Sequence, residues 1–140
     1  MLDLDYRILK YLFRSSKHLK VGQIAKFLKL PHSTVGSCVK RLEKDNFVIY
    51  DRYRSVILTK KGVNLAKELI RHARLLELLL INELDLKAED AHIESEKFHL
   101  LFSCNTINKI CERYNHPKQC PCGDSILNSS KCFCEEKLTK

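Results

Sequence analysis

The sequence predicts a mainly α-helical fold that contains one small β-hairpin. Apolar residues recur at helical spacing through most of the chain, while β-branched and aromatic residues concentrate within residues 47–59. Residues 1–80 carry 17 Lys and Arg against 7 Asp and Glu, whereas six of the seven cysteines lie from Cys104 onward. These observations predict three segments, which are basic, helical and rich in cysteine in that order: 1–62, 63–115 and 116–140.

Three short helices are predicted before the hairpin. The first covers residues 4–13, where apolar side chains fall on one face. The second, Val21–Leu28, ends ahead of Pro31 because proline disfavours helical geometry in the residue that precedes it. Ser33 or a neighbour is expected to cap a third helix that runs to about Lys44.

The hairpin and two longer helices follow. Residues 47–50 and 55–59 flank a short charged link, which is the pattern of two antiparallel strands. Helical periodicity returns over residues 60–80, and a second long helix is predicted over residues 89–114. These two helices carry more apolar surface than the first segment covers, which favours homodimerisation over an entirely intramolecular core.

Three helices followed by a hairpin is the order of a winged helix-turn-helix domain, whose third helix fits a DNA major groove about 12 Å wide. The chain has a net charge of +8, and the basic residues coincide with the third helix and the wing. We therefore expect a double-stranded DNA operator as the partner; the alternative is a solvated cationic face. The predicted contacts are Ser33, Thr34, Ser37, Lys40, Arg41, Arg52 and Arg54.

Five short motifs occur in a fixed order along the chain: Val21–Leu28, Ser33–Val35, Lys40–Asp45, Leu58–Gly62, and His116–Pro121 with Gly123. Over about residues 4–126 this set resembles the diphtheria-toxin-repressor and manganese-transport-regulator family. The resemblance implies a dimeric, metal-responsive transcription regulator with a winged N-terminal domain. It also implies divalent-metal ligands shared between the first helix and the dimerisation helices.

The ligand positions implied by this resemblance are only partly filled. On the first helix Asp5 matches, but the second carboxylate of manganese sensors falls on Ile8. On the fourth helix Glu77 matches, whereas the histidine position is Ala73. The adjacent His72 should point about 100° away, given 3.6 residues per turn.

On the fifth helix His99 matches, but the neighbouring ligand positions hold Phe98 and Ser95. A shifted site is an alternative, since His92, Glu96 and His99 share one helix face at i, i+4 and i+7. The simpler interpretation is that these are partly exposed polar residues on a charged helix. A divalent-metal site would use Asp5, Glu77, His92, Glu96 and His99.

Two C-x-C pairs lie in the last segment, among Pro, Gly, Asn and Ser residues that provide little apolar area to offset ordering entropy. A four-sulfur centre would supply the missing folding energy. An iron–sulfur cluster is the preferred cofactor, because structural zinc usually uses longer C-x₂₋₄-C spacings; zinc or a metal-free reactive tail are alternatives. The predicted ligands are Cys120, Cys122, Cys132 and Cys134, with Cys104 and Cys111 as possible additional ligands.

Together these features predict a homodimeric repressor whose binding to DNA is set by a cysteine-ligated iron–sulfur cluster. The first alternative is a regulator corepressed by Fe²⁺ or Mn²⁺ that carries a structural zinc tail. The second is a thiol-dependent enzyme or metallochaperone, although no nucleophile elbow, P-loop or dinucleotide fingerprint is present. Apolar runs such as Leu78–Ile81 are far below the roughly 18 residues of a membrane span, and no secretory signal is seen, so we expect a cytoplasmic protein.

Overall fold

The computed structural model describes residues 2–15, 18–51, 55–97, 100 and 102–134. The chain forms two compact units, residues 1–66 and 67–140. The mainly helical fold with a winged helix-turn-helix unit is confirmed. The elements in chain order are α1 (Asp3–Ser15), α2 (Val21–Leu28), α3 (His32–Lys44), β1 (Val48–Tyr50), β2 (Val56–Leu58), α4 (Lys60–Leu84), α5 (Ala88–Glu96) and α6 (Cys104–Arg113).

The ends of α2 and α3 are set by local backbone chemistry. At the start of α2, the side-chain oxygen of Gln23 accepts a hydrogen bond from the Lys20 amide at 2.8 Å, which satisfies one of the free donors of the first turn. The prediction that Ser33 or a neighbour caps α3 is wrong. Pro31 occupies the cap position, with φ −62° and ψ 147° and no side-chain cap, and α3 begins at His32. Proline suits this position because its fixed φ matches the required geometry.

The core of the first unit joins all of its elements. Strands β1 and β2 pair antiparallel, with Val48 opposite Leu58 and Tyr50 opposite Val56. Alternation along β1 buries Val48 and leaves Ile49 60% exposed, as expected for a two-stranded sheet with one covered face. The buried apolar side chains include Ile8, Leu9, Leu12, Ile24, Val35, Val39, Leu42, Val48 and Val56.

Gly62, in the first turn of α4, lies directly against the backbone at the start of the hairpin. A Cβ at this position would overlap the carbonyl oxygen of Phe47. We expect Gly62→Ala to lower the free energy of unfolding by about 2 to 3 kcal/mol, because the neighbour is backbone and cannot yield. Gly36→Ala in α3 is the matched control, since nothing lies within 4 Å of its added Cβ. It should stabilise by roughly 0.5–1 kcal/mol through helix propensity. Equal urea midpoints for the two variants would contradict the predicted clash.

The predicted helix over residues 89–114 is wrong, because the structure places two helices there, α5 and α6. Ser103 starts the second one: its Oγ accepts a hydrogen bond from the Thr106 amide at 3.2 Å. This side chain satisfies a backbone donor that a continuous helix would pair internally. The apolar periodicity belongs to α6, whereas α5 buries two small side chains and leaves Ile93 57% exposed.

The cysteine-rich segment contributes to the core of the second unit rather than lying outside it. Its turn is closed by hydrogen bonds from the Cys120 amide to the Asp124 carbonyl and from the Gly123 amide to the Cys120 carbonyl, each 2.8 Å. Gly123 has φ +92°, a conformation that favours glycine. The buried cluster of this unit comprises Leu75, Ile107, Ile110, Cys111, Ile126 and Cys134.

Candidate metal centres and DNA-binding surface

The exposed face of α3 carries most of the residues predicted to contact DNA. Ser33, Thr34, Ser37 and Lys40 are all exposed. The Ser37 hydroxyl donates to the Ser33 carbonyl oxygen at 3.0 Å, within the helix. Arg52 and Arg54, the predicted wing contacts, lie outside the described residues. A groove beside this face is lined by residues of α2, α3 and the hairpin, among them Lys20, Gly22, Ser33, Ser37, Lys40 and Tyr50.

Arg41 has a partner that the sequence did not reveal. Its Nη2 donates to Asp5 Oδ1 at 2.9 Å and lies 3.0 Å from Cys38 Sγ. The Asp5 carboxylate is buried and also accepts from the Leu2 amide at 3.1 Å. Arg41 therefore ties α3 to the first turn of α1, and Asp5, a predicted metal ligand, is hydrogen-bonded within its own unit.

Glu77 and His92, two of the predicted divalent-metal ligands, meet in the second unit. Glu77 on α4 is 1% exposed, and its Oε2 lies 3.5 Å from His92 Nδ1 on α5. The other carboxylate oxygen, Oε1, is buried and makes no hydrogen bond within the part of the chain that the structure describes. Buried carboxylate oxygens are rarely left without a partner, so this atom fits a ligand to a cation.

Cys122 completes this group. One ligand atom each from Glu77, His92 and Cys122 lies within 4.8 Å of the others. Partial desolvation, a hydrogen bond with the Cys120 thiol and the nearby Glu77 carboxylate raise the pKa of the Cys122 thiol to about 12. Without a cation the thiol therefore keeps its proton at neutral pH, and metal binding would release that proton. We define Glu77, His92 and Cys122 as the carboxylate–imidazole–thiol group.

Among the described residues, the other predicted divalent-metal ligand of the second unit does not join this group. Glu96 lies in the last turn of α5 and belongs to no cluster of three or more ligand atoms among the described residues. His99 lies outside the described residues. The two members that meet are fifteen positions apart in the sequence, on separate helices.

The four cysteines predicted to form one centre are distributed among different groups. Cys120 and Cys122 lie together with Asp124. Cys132 lies with Cys104 and with Glu68 and His72 of α4, and Cys134 lies with Cys111 and His116. Among the described residues, no group within 4.8 Å contains more than two of the four.

Sequence reasoning missed Glu68 and His116, and it set His72 aside. Glu68 and His72 are four residues apart, which places both on one face of α4. That spacing is visible in the sequence, but the family positions on this helix are Ala73 and Glu77. His116 stands five residues after Cys111, and its Nδ1 lies 3.5 Å from the Cys111 sulfur.

A winged helix-turn-helix unit followed by a helical unit that gathers carboxylate, imidazole and thiol side chains is the arrangement of a metal-responsive, DNA-binding transcription regulator. Residues 8–56 match the family model of the iron dependent repressor N-terminal DNA binding domain. Residues 59–128 match the model of the iron dependent repressor metal binding and dimerisation domain. The chain belongs to this family of metal-dependent transcriptional repressors, which bind DNA operators and dimerise and are not enzymes.

Individual relatives agree with this placement. The transcriptional regulator MntR of Bacillus subtilis is 34% identical over 100 residues, which cover 71% of this chain and 69% of MntR. The structure of the manganese regulator SloR has a TM-score of 0.76 and 31% identity over 87% of this chain, which spans 58% of the SloR chain. The hypothetical protein SSo2273 from Sulfolobus solfataricus has a TM-score of 0.73 and 29% identity, with 86% and 97% of the two chains covered.

The predicted resemblance is thus confirmed, and so is the expected DNA partner. The comparisons support a divalent metal ion and give no support to the preferred iron–sulfur cluster. In the described part of the chain, none of the helices has the length and apolar character needed to cross a membrane.

Proposed function

We propose that this chain is a repressor activated by Fe²⁺, in which the carboxylate–imidazole–thiol group holds the regulatory cation. The observation that carries the proposal is the buried Glu77 carboxylate, whose unpaired Oε1 stands beside His92 and Cys122. When bound, the cation would neutralise this buried negative charge. The residues would then hold α4, α5 and the C-terminal segment in one arrangement.

The ligand types favour Fe²⁺ over Mn²⁺. Carboxylate and imidazole bind both ions, but Mn²⁺ prefers oxygen donors and gains less from a thiolate such as that of Cys122. The separation of the four C-terminal cysteines also favours a single divalent ion over a cluster that needs several sulfurs in one place. SloR is described as a manganese regulator, which sets Mn²⁺ as the principal alternative.

Repression follows from a shift between two populations of the dimer. The α3 helices of the two protomers must match half-sites on the DNA that are about 34 to 36 Å apart, or a multiple of that spacing. A cation that binds one arrangement of the dimerisation unit more tightly than the other raises the fraction of dimers with that spacing. Differential affinity for the two arrangements, rather than tight binding alone, sets the size of the response.

The test is DNA binding by the full chain under anaerobic conditions. Duplexes selected from a random pool in the presence of Fe²⁺ would be labelled, and affinity measured without metal and with Fe²⁺, Mn²⁺ or Zn²⁺. We expect colourless protein whose affinity rises most with Fe²⁺. Affinity that rises only in brown protein containing acid-labile sulfide would support the iron–sulfur alternative and refute this proposal.

Lys40 on the exposed face of α3 is proposed to neutralise a DNA phosphate. Lys40→Ala should weaken binding similarly for all sequences. It should also reduce the slope of log affinity against log salt concentration by about 0.9 per contact, hence about 1.8 per dimer. Lys109→Ala is the control, because Lys109 is 78% exposed on α6 and far from α3 in sequence. An unchanged salt slope for Lys40→Ala would show that this lysine does not contact phosphate.

A further inference from the structure

A second group of ligand atoms lies in the second unit and shares no residue with the carboxylate–imidazole–thiol group. It consists of Glu68, His72, Cys104 and Cys132, whose ligand atoms all lie within 4.8 Å of one another. His72 Nε2 is 3.0 Å from Cys132 Sγ and 4.0 Å from Cys104 Sγ. Cys104 Sγ is 3.3 Å from Glu68 Oε1. We call these four residues the four-ligand group.

Three separate parts of the chain position the four-ligand group. Glu68 and His72 stand one turn apart on α4, and Cys104 is the first residue of α6. Cys132 is held by Ser129, whose Oγ accepts a hydrogen bond from the Cys132 amide at 2.9 Å. The C-terminal segment is thereby brought onto two helices that precede it by 28 and 60 residues, counted from Cys104 and His72.

The group is largely buried, and His72 Nδ1 makes no hydrogen bond among the described residues. Glu68 is 8% exposed, His72 3% and Cys132 0%. A protein interior rarely holds a carboxylate, an imidazole and two thiols together without a compensating interaction. Each of these groups loses its hydrogen bonds with water on burial. Burial, with Arg71 nearby, lowers the pKa of His72 to about 4, and burial raises the pKa of both Cys104 and Cys132. His72 is therefore in the neutral form that can bind a metal.

We propose that Glu68, His72, Cys104 and Cys132 form a tetrahedral Zn²⁺ site that anchors the C-terminal segment to α4 and α6. Two sulfurs, one imidazole nitrogen and one carboxylate oxygen are the donors that Zn²⁺ takes in fourfold coordination. With four protein ligands no position is open for water, which is the arrangement of a structural site. Binding transfers two thiol protons to solvent and leaves both thiolates on the cation. Cys104 is partly exposed, which gives the cation a path into the site.

The site is tested by metal content and by Co²⁺ substitution in the full chain, purified with a reductant that does not bind metals. The wild-type protein is expected to retain zinc through dialysis, and Cys132→Ser to bind it more than about 100-fold more weakly, beyond the range seen for loss of outer-shell groups. Co²⁺ in the wild-type protein should give the intense visible bands of tetrahedral coordination with thiolate charge transfer. Cys104→Ser should lower the charge-transfer intensity.

Two controls keep the test independent of folding and of the proposed regulatory site. Cys38→Ser removes a buried cysteine of the first unit and should leave zinc content unchanged. Glu77→Gln should lose the response of DNA binding to Fe²⁺ yet retain zinc, so that failure of either proposal is seen separately. The far-ultraviolet circular dichroism of each variant reports whether it is folded.

Three results would overturn the zinc proposal. One is wild-type protein that holds no zinc while its thiols react freely with a chromogenic disulfide. Another is a disulfide between Cys104 and Cys132 in protein purified from reducing cells. The third is retention of wild-type zinc affinity by both Cys104→Ser and Cys132→Ser, which would assign the ion to the cysteines at positions 111, 120, 122 or 134.

Discussion

Replacement of Glu77 by glutamine is expected to abolish the effect of Fe²⁺ on DNA binding. The amide has nearly the shape of the carboxylate but no charge, and its nitrogen cannot coordinate a cation. Because Glu77 contributes the one buried carboxylate of its group, we expect the apparent Fe²⁺ affinity to fall by about 100-fold or more, above the range for outer-shell partners. Fluorescence anisotropy of a labelled duplex during an anaerobic Fe²⁺ titration measures this.

Glu83→Gln is the matched control for this prediction. Glu83 lies on the same helix but is 48% exposed, and it accepts a hydrogen bond from the Tyr114 hydroxyl at 3.0 Å. It should leave the Fe²⁺ titration unchanged. Glu77→Gln also removes a buried, incompletely paired negative charge, so the metal-free protein should unfold at an equal or higher temperature. Normal Fe²⁺ activation of Glu77→Gln would show that the regulatory cation binds elsewhere.

Replacement of Arg71 by leucine is expected to be the most destabilising single change in the second unit. Arg71 is 1% exposed, and its guanidinium donates to Asn128 Oδ1 at 3.1 Å, to Asn108 Oδ1 at 3.3 Å and to the Leu127 carbonyl at 3.4 Å. Leucine would remove the donor from these partly buried acceptors and leave Asn128 Oδ1 with the Cys134 amide alone. The free energy of unfolding should fall by about 3 kcal/mol, on the scale of a lost buried charged partner.

The readout is chemical denaturation together with limited proteolysis of residues 116–134. Protease should cut this segment faster in Arg71→Leu, because the Asn128 side chain also accepts from the Cys134 amide at 3.2 Å and loses its support. Arg113→Leu, at a side chain 73% exposed, is the control and should change stability by no more than about 0.5 kcal/mol. Equal effects of the two changes would show that the buried hydrogen bonds contribute little.

The sequence was most informative where local chemistry decides structure. Periodicity predicted α1 to α4 and the hairpin, because each has an apolar face that its neighbours must cover. It missed the break before α6, where the Ser103 hydroxyl caps the start of that helix. A capping side chain acts on the backbone amides of the first turn and not on the apolar face, so the signal for this helix start is the cap itself.

The candidate metal ligands were predicted less completely. Glu77 was identified from its family position and His92 from the helical spacing of a shifted site, but the sequence offered no reason to join Cys122 to them. The spacing of two C-x-C pairs indicated metal binding and suggested one shared centre, since neighbours in sequence are often neighbours in a site. In the structure, the Cys132 sulfur lies with the ligand atoms of Glu68 and His72 instead. Contacts between residues about 60 positions apart depend on tertiary packing, which spacing within one segment does not report.

Only Phe133 separates Cys132 from Cys134, although the two sulfurs belong to different groups. A cation bound to the Cys132 sulfur would restrict the movement of the Cys134 sulfur, which lies beside Cys111 and His116. Cys134 should then resist alkylating agents more when the neighbouring group is filled, even though it donates no electrons to that ion. The rate at which Cys134 is alkylated would therefore report whether the four-ligand group holds a cation, although Cys134 is not one of its ligands.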